Sequence, residues 1–197
     1  MDYTSQSEQT KIARSKKMML WFGIISLSMM FAGLTSAYIV SSERRDWLRD
    51  FELPQAFYIS TFIIILSSLT MLVAKQAVKT SKKGLATIML LLTLGLGIAF
   101  VVYQFIGFDQ IIANGYFFTG SESTVTTSFI YAFVISHIVH VAAGLIVLLV
   151  VIVQQLRGKY TKDQMLGLSL GATFWHFVDI LWVYLFLFFI FADDLIH

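Results

Sequence analysis

The sequence predicts an all-α, polytopic membrane protein, a bundle of five transmembrane helices with its N-terminus in the cytoplasm and its C-terminus outside. Three observations predict this. The 197 residues are 57% hydrophobic and only 13% charged, against about 25% charged in an ordinary soluble domain. The apolar residues fall into five blocks, each near or above the ~20 residues that a helix needs to cross ~30 Å of hydrocarbon. Lysine and arginine alternate along the chain, eleven lying on one side of the predicted spans and three on the other. The crowded side is the cytoplasmic one by the positive-inside rule.

The elements follow in order. Residues 1–17 read as a cytoplasmic tail carrying Lys11, Arg14, Lys16 and Lys17. Residues 18–193 form the membrane domain, with helices at about 18–40, 55–78, 85–106, 127–154 and 164–192, and residues 194–197 are an external end. In helix 1, Gly33 and Ala37 are spaced for close helix contact. The charged connection Glu43–Glu52 holds Trp47 and Phe51, placed to anchor at the interface, and Pro54 stands where a helix can start. The basic link Thr80–Gly84 is short, so helices 2 and 3 make an antiparallel hairpin, and Lys75 and Lys79 reach towards the interface from the end of helix 2. Helix 3 offers Gly95 and Gly97 for close approach. The longest connection, Gly107–Thr126, has Asp109 and Glu122 but no basic residue; its apolar start, Phe108–Ile112, suits the interface and its end is rich in Ser and Thr. Arg157, Lys159 and Lys162 occupy the next loop. Gly167 and Gly171 open helix 5 as a packing pair, and Asp193 and Asp194 close it.

Composition excludes several classes. The chain has no cysteine, so disulfides, thiolate metal sites and cysteine nucleophiles are out. No cleavable signal segment is expected, because the first apolar block has full membrane length. No extramembrane stretch is long enough to bury a core, and the basic residues sit in short juxtamembrane clusters, which gives nucleic-acid binding no support.

Four ionisable side chains remain at membrane depth: His137 and His140 one turn apart on helix 4, and His176 and Asp179 one turn apart on helix 5. A carboxylate so deep is costly unless it is paired or faces protein. Three imidazoles and a carboxylate would suit zinc or non-haem iron. A hydrogen-bonded clamp between helices 4 and 5 satisfies the same groups without metal and is the favoured reading. A proton relay lacks a continuing polar chain outward. The aromatic end of helix 5, Trp182–Phe191, reads as a lipid and interface surface.

The stretch Phe174–Phe186, with Trp175-His176-Phe177-Val178-Asp179 and then Trp182, resembles the last-helix signature of subunit III of the haem-copper terminal oxidases, the cytochrome c oxidase subunit III family. Ser136-His137-Ile138-Val139-His140-Val141 with Gly144 resembles its paired-histidine helix. Met29–Leu34 with Ala37-Tyr38, Leu53-Pro54 with the Ser-Ser helix after it, and Gln104 are similar in order and spacing. The length resembles the short five-helix bacterial form. The resemblance implies a non-catalytic core subunit of a proton-pumping oxidase in the bacterial inner membrane. It implies no redox centre, cofactor or metal in this chain; haem and copper belong to the partner catalytic subunits. It also implies packing on catalytic subunit I and other oxidase subunits, bound phospholipid, and support of proton uptake and durability. His137, His140, His176 and Asp179, with the aromatics Trp175 and Trp182, match the family pattern. Leu27 and Ser169 stand where many members have carboxylates, and Lys75 and Gln76 where many have histidines, so roles of those groups do not transfer. A quinol oxidase subunit III and a nitric oxide reductase accessory subunit are the alternatives nearby. A small transporter fits less well, since inverted repeats and broken helices are missing, and so does an independent membrane metalloenzyme, since four candidate ligands on two helices are barely enough to hold a metal firmly.

The charge asymmetry makes a direct prediction: reporter fusions at residues 80 and 160 read cytoplasmic and one at residue 120 reads external. An external signal at residue 80 would overturn the topology.

Overall fold

Five helices account for nearly all the described residues, which in this computed structural model are 3–44, 47, 54–113, 115, 124–162 and 164–196. They are α1 (Tyr3–Ser41), α2 (Gln55–Lys79), α3 (Lys83–Ala113), α4 (Val125–Leu156) and α5 (Leu166–Ile196). Each contains a stretch long and apolar enough to cross a membrane. The chain is a multi-pass membrane protein, because only helices and closed barrels satisfy their own backbone groups in lipid.

The helix ends show how the sequence punctuates the fold. α1 begins well before Met18, because no glycine or proline interrupts residues 3–22; the basic stretch read as a tail is the first turns of a 39-residue helix, ~58 Å long at ~1.5 Å per residue. Pro54 supplies extended backbone (φ −56°, ψ 142°) at the start of α2. The α2–α3 turn is tied by the amides of Thr80 and Lys82, which donate to the carbonyls of Gln76 and Ala77 at 3.0 and 2.9 Å. α3 continues to Ala113, and Phe108 and Ile111 are buried rather than lying at the interface. The stacking of Phe108 on Tyr131, with ring centroids 5.0 Å apart, draws these turns inward. Thr124 caps α4 reciprocally with Thr127, each amide donating to the other's hydroxyl at 3.2 Å, a capping-box geometry. Gly158, at φ +69°, ends α4 in the left-handed region. In the following loop Tyr160 folds back under Gly167, and burial pushes its phenol pKa up.

α2, α3, α4 and α5 pack in a closed ring, α2 against α3 and α5, and α4 against α3 and α5; α1 lies outside it, touching α4 and α5 alone among the described residues. α1 is accordingly the least buried helix. Its C-terminal half is joined to the ring by Tyr38, whose ring meets Trp47, Phe129, Phe133, Phe188 and Phe189 edge-on at 4.7 to 6.4 Å. Trp47 is therefore buried on Tyr38 instead of extending as a free interfacial anchor. Likewise Trp182, Leu185, Phe186 and Phe189 of the aromatic end of α5 are core residues, which corrects their reading as a lipid surface. Phe51, Arg45, Arg49, Leu53, the stretch 116–123 with Glu122, and the side chains of Asp193 and Asp194 lie outside what is described.

Close contact falls on Gly97 and Gly171 as expected, and on Gly144 as well, but not on Gly33 or Gly95. Gly33 and Gly95 face open space, whereas a Cβ on Gly97 would lie 2.7 Å from the rim of the Trp175 indole, and one on Gly144 3.1 Å from its other edge. Trp175 is thus slotted between α3 and α4 through two positions without a side chain. Gly171 lies against Val151 of α4, as its packing motif implies.

Gly97→Val should lower stability by about 1–3 kcal/mol, the usual cost of overpacking, while Gly95→Val should be nearly neutral. Thermal unfolding in detergent measures both; equal losses would refute the slot.

Candidate functional site

α2 supplies hydroxyls on the face it turns to α3 and α5. Ser60 and Ser67 are seven residues apart, as are Thr61 and Ser68, and that spacing of two turns keeps each pair on one side of a helix. Each hydroxyl meets a group that lipid could not satisfy. Thr61 Oγ1 accepts from Trp182 Nε1 at 2.9 Å, and Ser67 Oγ accepts from Trp175 Nε1 at 3.0 Å. Ser60 Oγ accepts from Gln104 Nε2 of α3 at 3.0 Å, and Thr70 shares a 2.8 Å hydrogen bond with Thr93. The two signature tryptophans of α5 are fully buried. Their rings fill the core, and their N–H groups point at α2.

This anchoring sets the rotation of α5. With Trp175 and Trp182 on Ser67 and Thr61, His176 and Asp179 are turned to α2 and not to α4. His176 Nδ1 lies 2.6 Å from Ser68 Oγ, a hydrogen bond whose direction follows the imidazole tautomer. Asp179 is buried, 3% exposed. The Ser68 hydroxyl is close enough to interact with its carboxyl, but not in the geometry of a formed hydrogen bond, and neither carboxyl oxygen has another partner among the described residues.

The histidines of α4 go elsewhere. His137 is completely buried, its ring 5.1 Å from that of Trp182 and 5.9 Å from that of Phe100, with neither ring nitrogen hydrogen-bonded among the described residues. His140 Nδ1 lies 2.6 Å from the Ser136 carbonyl one turn back, placed to donate its proton there, and its ring meets Phe31 of α1 at 6.1 Å.

His137, His140, His176 and Asp179 therefore do not form one cluster. No group of three His, Asp or Glu side chains converges among the described residues, so the metal-ligand set is not assembled. The clamp expected between helices 4 and 5 is not how Asp179 is held: its hydroxyl neighbour comes from α2, and α4 reaches α5 here through the His137–Trp182 ring contact. The hydroxyl row of α2 is the functional feature that sequence reasoning missed. Its signal was present in the two-turn repeat of small polar residues in an apolar helix, but nothing in α2 alone names their partners more than a hundred residues away.

Comparison with known proteins agrees with this signature. The family profile described as Cytochrome c oxidase subunit III matches residues 4–193. The cytochrome bo(3) ubiquinol oxidase subunit 3 of Buchnera aphidicola is 28% identical over 190 residues, covering 94% of this chain and 91% of the relative. The protein of the same name from Pseudomonas aeruginosa is 33% identical over 170 residues, 84% of this chain and 79% of the relative. Cytochrome c oxidase subunit 3 of Alkalihalophilus pseudofirmus is 30% identical over 129 residues, 66% of this chain and 62% of the relative.

A double-mutant cycle tests the anchoring. Trp175→Phe and Ser67→Ala should each destabilise the chain and be coupled by about 0.5–1.5 kcal/mol, the range of hydrogen bonds measured between membrane helices. Strict additivity in unfolding titrations would mean that this N–H does not hold α5 to α2.

Proposed function

Because the chain belongs to the cytochrome c oxidase subunit III family, we propose that it is the non-catalytic subunit III of a proton-pumping haem-copper terminal oxidase in a bacterial inner membrane. The observation that carries the non-catalytic role is the use made of the signature residues. Trp175 and Trp182 fasten α5 to α2, His137 fills the core against Trp182, and His176 faces Ser68 across the helix seam. Trp175, Trp182 and His137 hold helices together. Electron transfer and oxygen reduction fall to haem and copper in a partner catalytic subunit. The chain contributes a rigid apolar body on which that subunit and phospholipids pack, and through that packing it supports proton uptake and durability.

The exposed apolar faces are consistent with this role. In a bundle so rich in outward Leu, Ile, Val and Phe, protein or lipid must cover every helix, and α1 is covered by the ring on one side alone. The topology that goes with the proposal has the N-terminus, the α2–α3 turn and the α4–α5 loop in the cytoplasm.

The donor reading that has a specific observation behind it is quinol. Of the relatives named above, the two ubiquinol oxidase subunits align with 94% and 84% of this chain, and the cytochrome c oxidase subunit with 66%.

Native purification through a tag on this chain should bring down a haem- and copper-bearing oxidase that consumes oxygen with quinol. Without the chain, the haem spectrum should persist and sustained turnover should fall more than the first turnovers. Stoichiometric haem or metal on the isolated chain, or recovery free of any oxidase subunit, would sink the reading; activity with cytochrome c alone would refute the donor.

A further inference from the structure

The seam between α2 and α5 holds a carboxyl, a hydroxyl and an imidazole in a row. Ser68 Oγ is 2.6 Å from His176 Nδ1, and its hydroxyl is close enough to interact with the Asp179 carboxyl without a formed hydrogen bond. Asp179 is one turn further along α5 than His176 and buried, with both oxygens unpaired among the described residues. His176 Nε2 is likewise buried and unpaired there. A serine hydroxyl has one hydrogen to give and lone pairs to accept with. It therefore bonds both neighbours at once only if one of them donates to it.

The helices packed on α5 are α1, α2 and α4. α1 brings Thr35 to Tyr184 at 3.3 Å, and α4 brings His137 to Trp182. α2 brings Ser68, and Lys75 two turns beyond it, whose charge acts on His176. Among the described residues, Ser68 and Lys75 are the polar groups of α2 that act on the pair. The row also runs in depth. Lys75 is four residues from the end of α2, whereas His176 and Asp179 are ten and thirteen residues into α5, or ~15 and ~20 Å along a helix axis. Beyond Asp179 the seam is closed by Trp182, Phe57 and Phe100.

We propose that Asp179, Ser68 and His176 form a proton-exchange relay across the α2–α5 seam, with the Ser68 hydroxyl as its bridge. In one state the carboxylic acid of Asp179 donates to Ser68 Oγ, and Ser68 donates to His176 Nδ1. In the other, the carboxyl proton has moved to Ser68 Oγ while the hydroxyl's own proton has moved to Nδ1. An O–H bond is broken and one formed at Ser68, which ends unchanged. A neutral acid and a neutral imidazole become a carboxylate and an imidazolium, with no other reactant. The imidazolium then passes its Nε2 proton to a water molecule entering from the side of Lys75, leaving His176 neutral with its proton on Nδ1, donating to Ser68, which donates to the carboxylate. The relay is closed outward by the aromatic plug, so its exchange with bulk runs on the side of Lys75.

Infrared difference spectroscopy of the chain in its native complex, on changing pH and on transfer to D2O, tests this without relying on turnover. It also stands apart from whichever oxidase holds the chain. A carboxylic acid band that disappears in Asp179→Asn should shift in D2O and change in step with imidazole bands that disappear in His176→Gln. Ser68→Ala should abolish the coupling of the two sets of bands, and Ser68→Thr should restore it. In the unmutated protein, a carboxyl band insensitive to D2O, or imidazole bands unchanged when the carboxyl responds, would overturn the relay. Coupling that persists in Ser68→Ala would overturn the bridge.

Discussion

Two indole N–H groups, each needing an acceptor in a medium that offers none, govern this structure. Trp175 and Trp182 are too large to leave the core and too polar at one atom to be buried without a partner. α2 provides Ser67 and Thr61 at 3.0 and 2.9 Å. Between lipid-embedded helices the hydrophobic effect contributes little, so shape and hydrogen bonding decide how they dock. These two bonds, two turns apart along α5, leave that helix one rotation about its axis.

The rest follows from that rotation. Trp175 reaches across the ring to the gap where Gly97 and Gly144 lack side chains, and so brings α3 and α4 to a common distance. Trp182 presents its ring to His137, Phe57 and Phe100. Asp179 and His176, which lie between the anchors, are carried to Ser68. A polar seam through the bundle is a by-product of fastening it with tryptophans. α1 takes no part in that fastening. It is joined to the ring by the aromatic nest around Tyr38 and by the Tyr184–Thr35 hydrogen bond, which leaves its other side open to lipid or protein.

The number and order of helices were legible in the chain because lipid imposes length and polarity on each span separately. No contact with another span is needed to recognise Val125–Leu156 or Lys83–Ala113 as membrane helices. The ends were less legible where tertiary contact extended them. Phe108 and Ile111 read as an interfacial start of a loop until Tyr131 is placed beside them, and residues 3–17 read as a tail although nothing in them breaks a helix. Of the candidate site, the membrane-embedded residues His137, His140, His176 and Asp179 stood out, because ionisable groups in apolar spans are rare.

Their grouping did not stand out. Spacing places His176 and Asp179 on one face, and His137 and His140 on one turn, and sequential helices make α4 and α5 natural partners for the four. Which way a helix faces around its own axis is not a local property. It depends on where Ser67 and Thr61 stand on a helix more than a hundred residues earlier, and on Gly97 and Gly144 opening a slot wide enough for an indole. The sequence by itself determined the membrane class, the five spans, the family signature and the identity of the buried polar residues, since each rests on the chemistry of a single segment in lipid. The tertiary structure alone decided that Asp179 and His176 meet Ser68 while His137 meets Trp182, because helix rotation is set by hydrogen bonds and shape between segments distant in the chain.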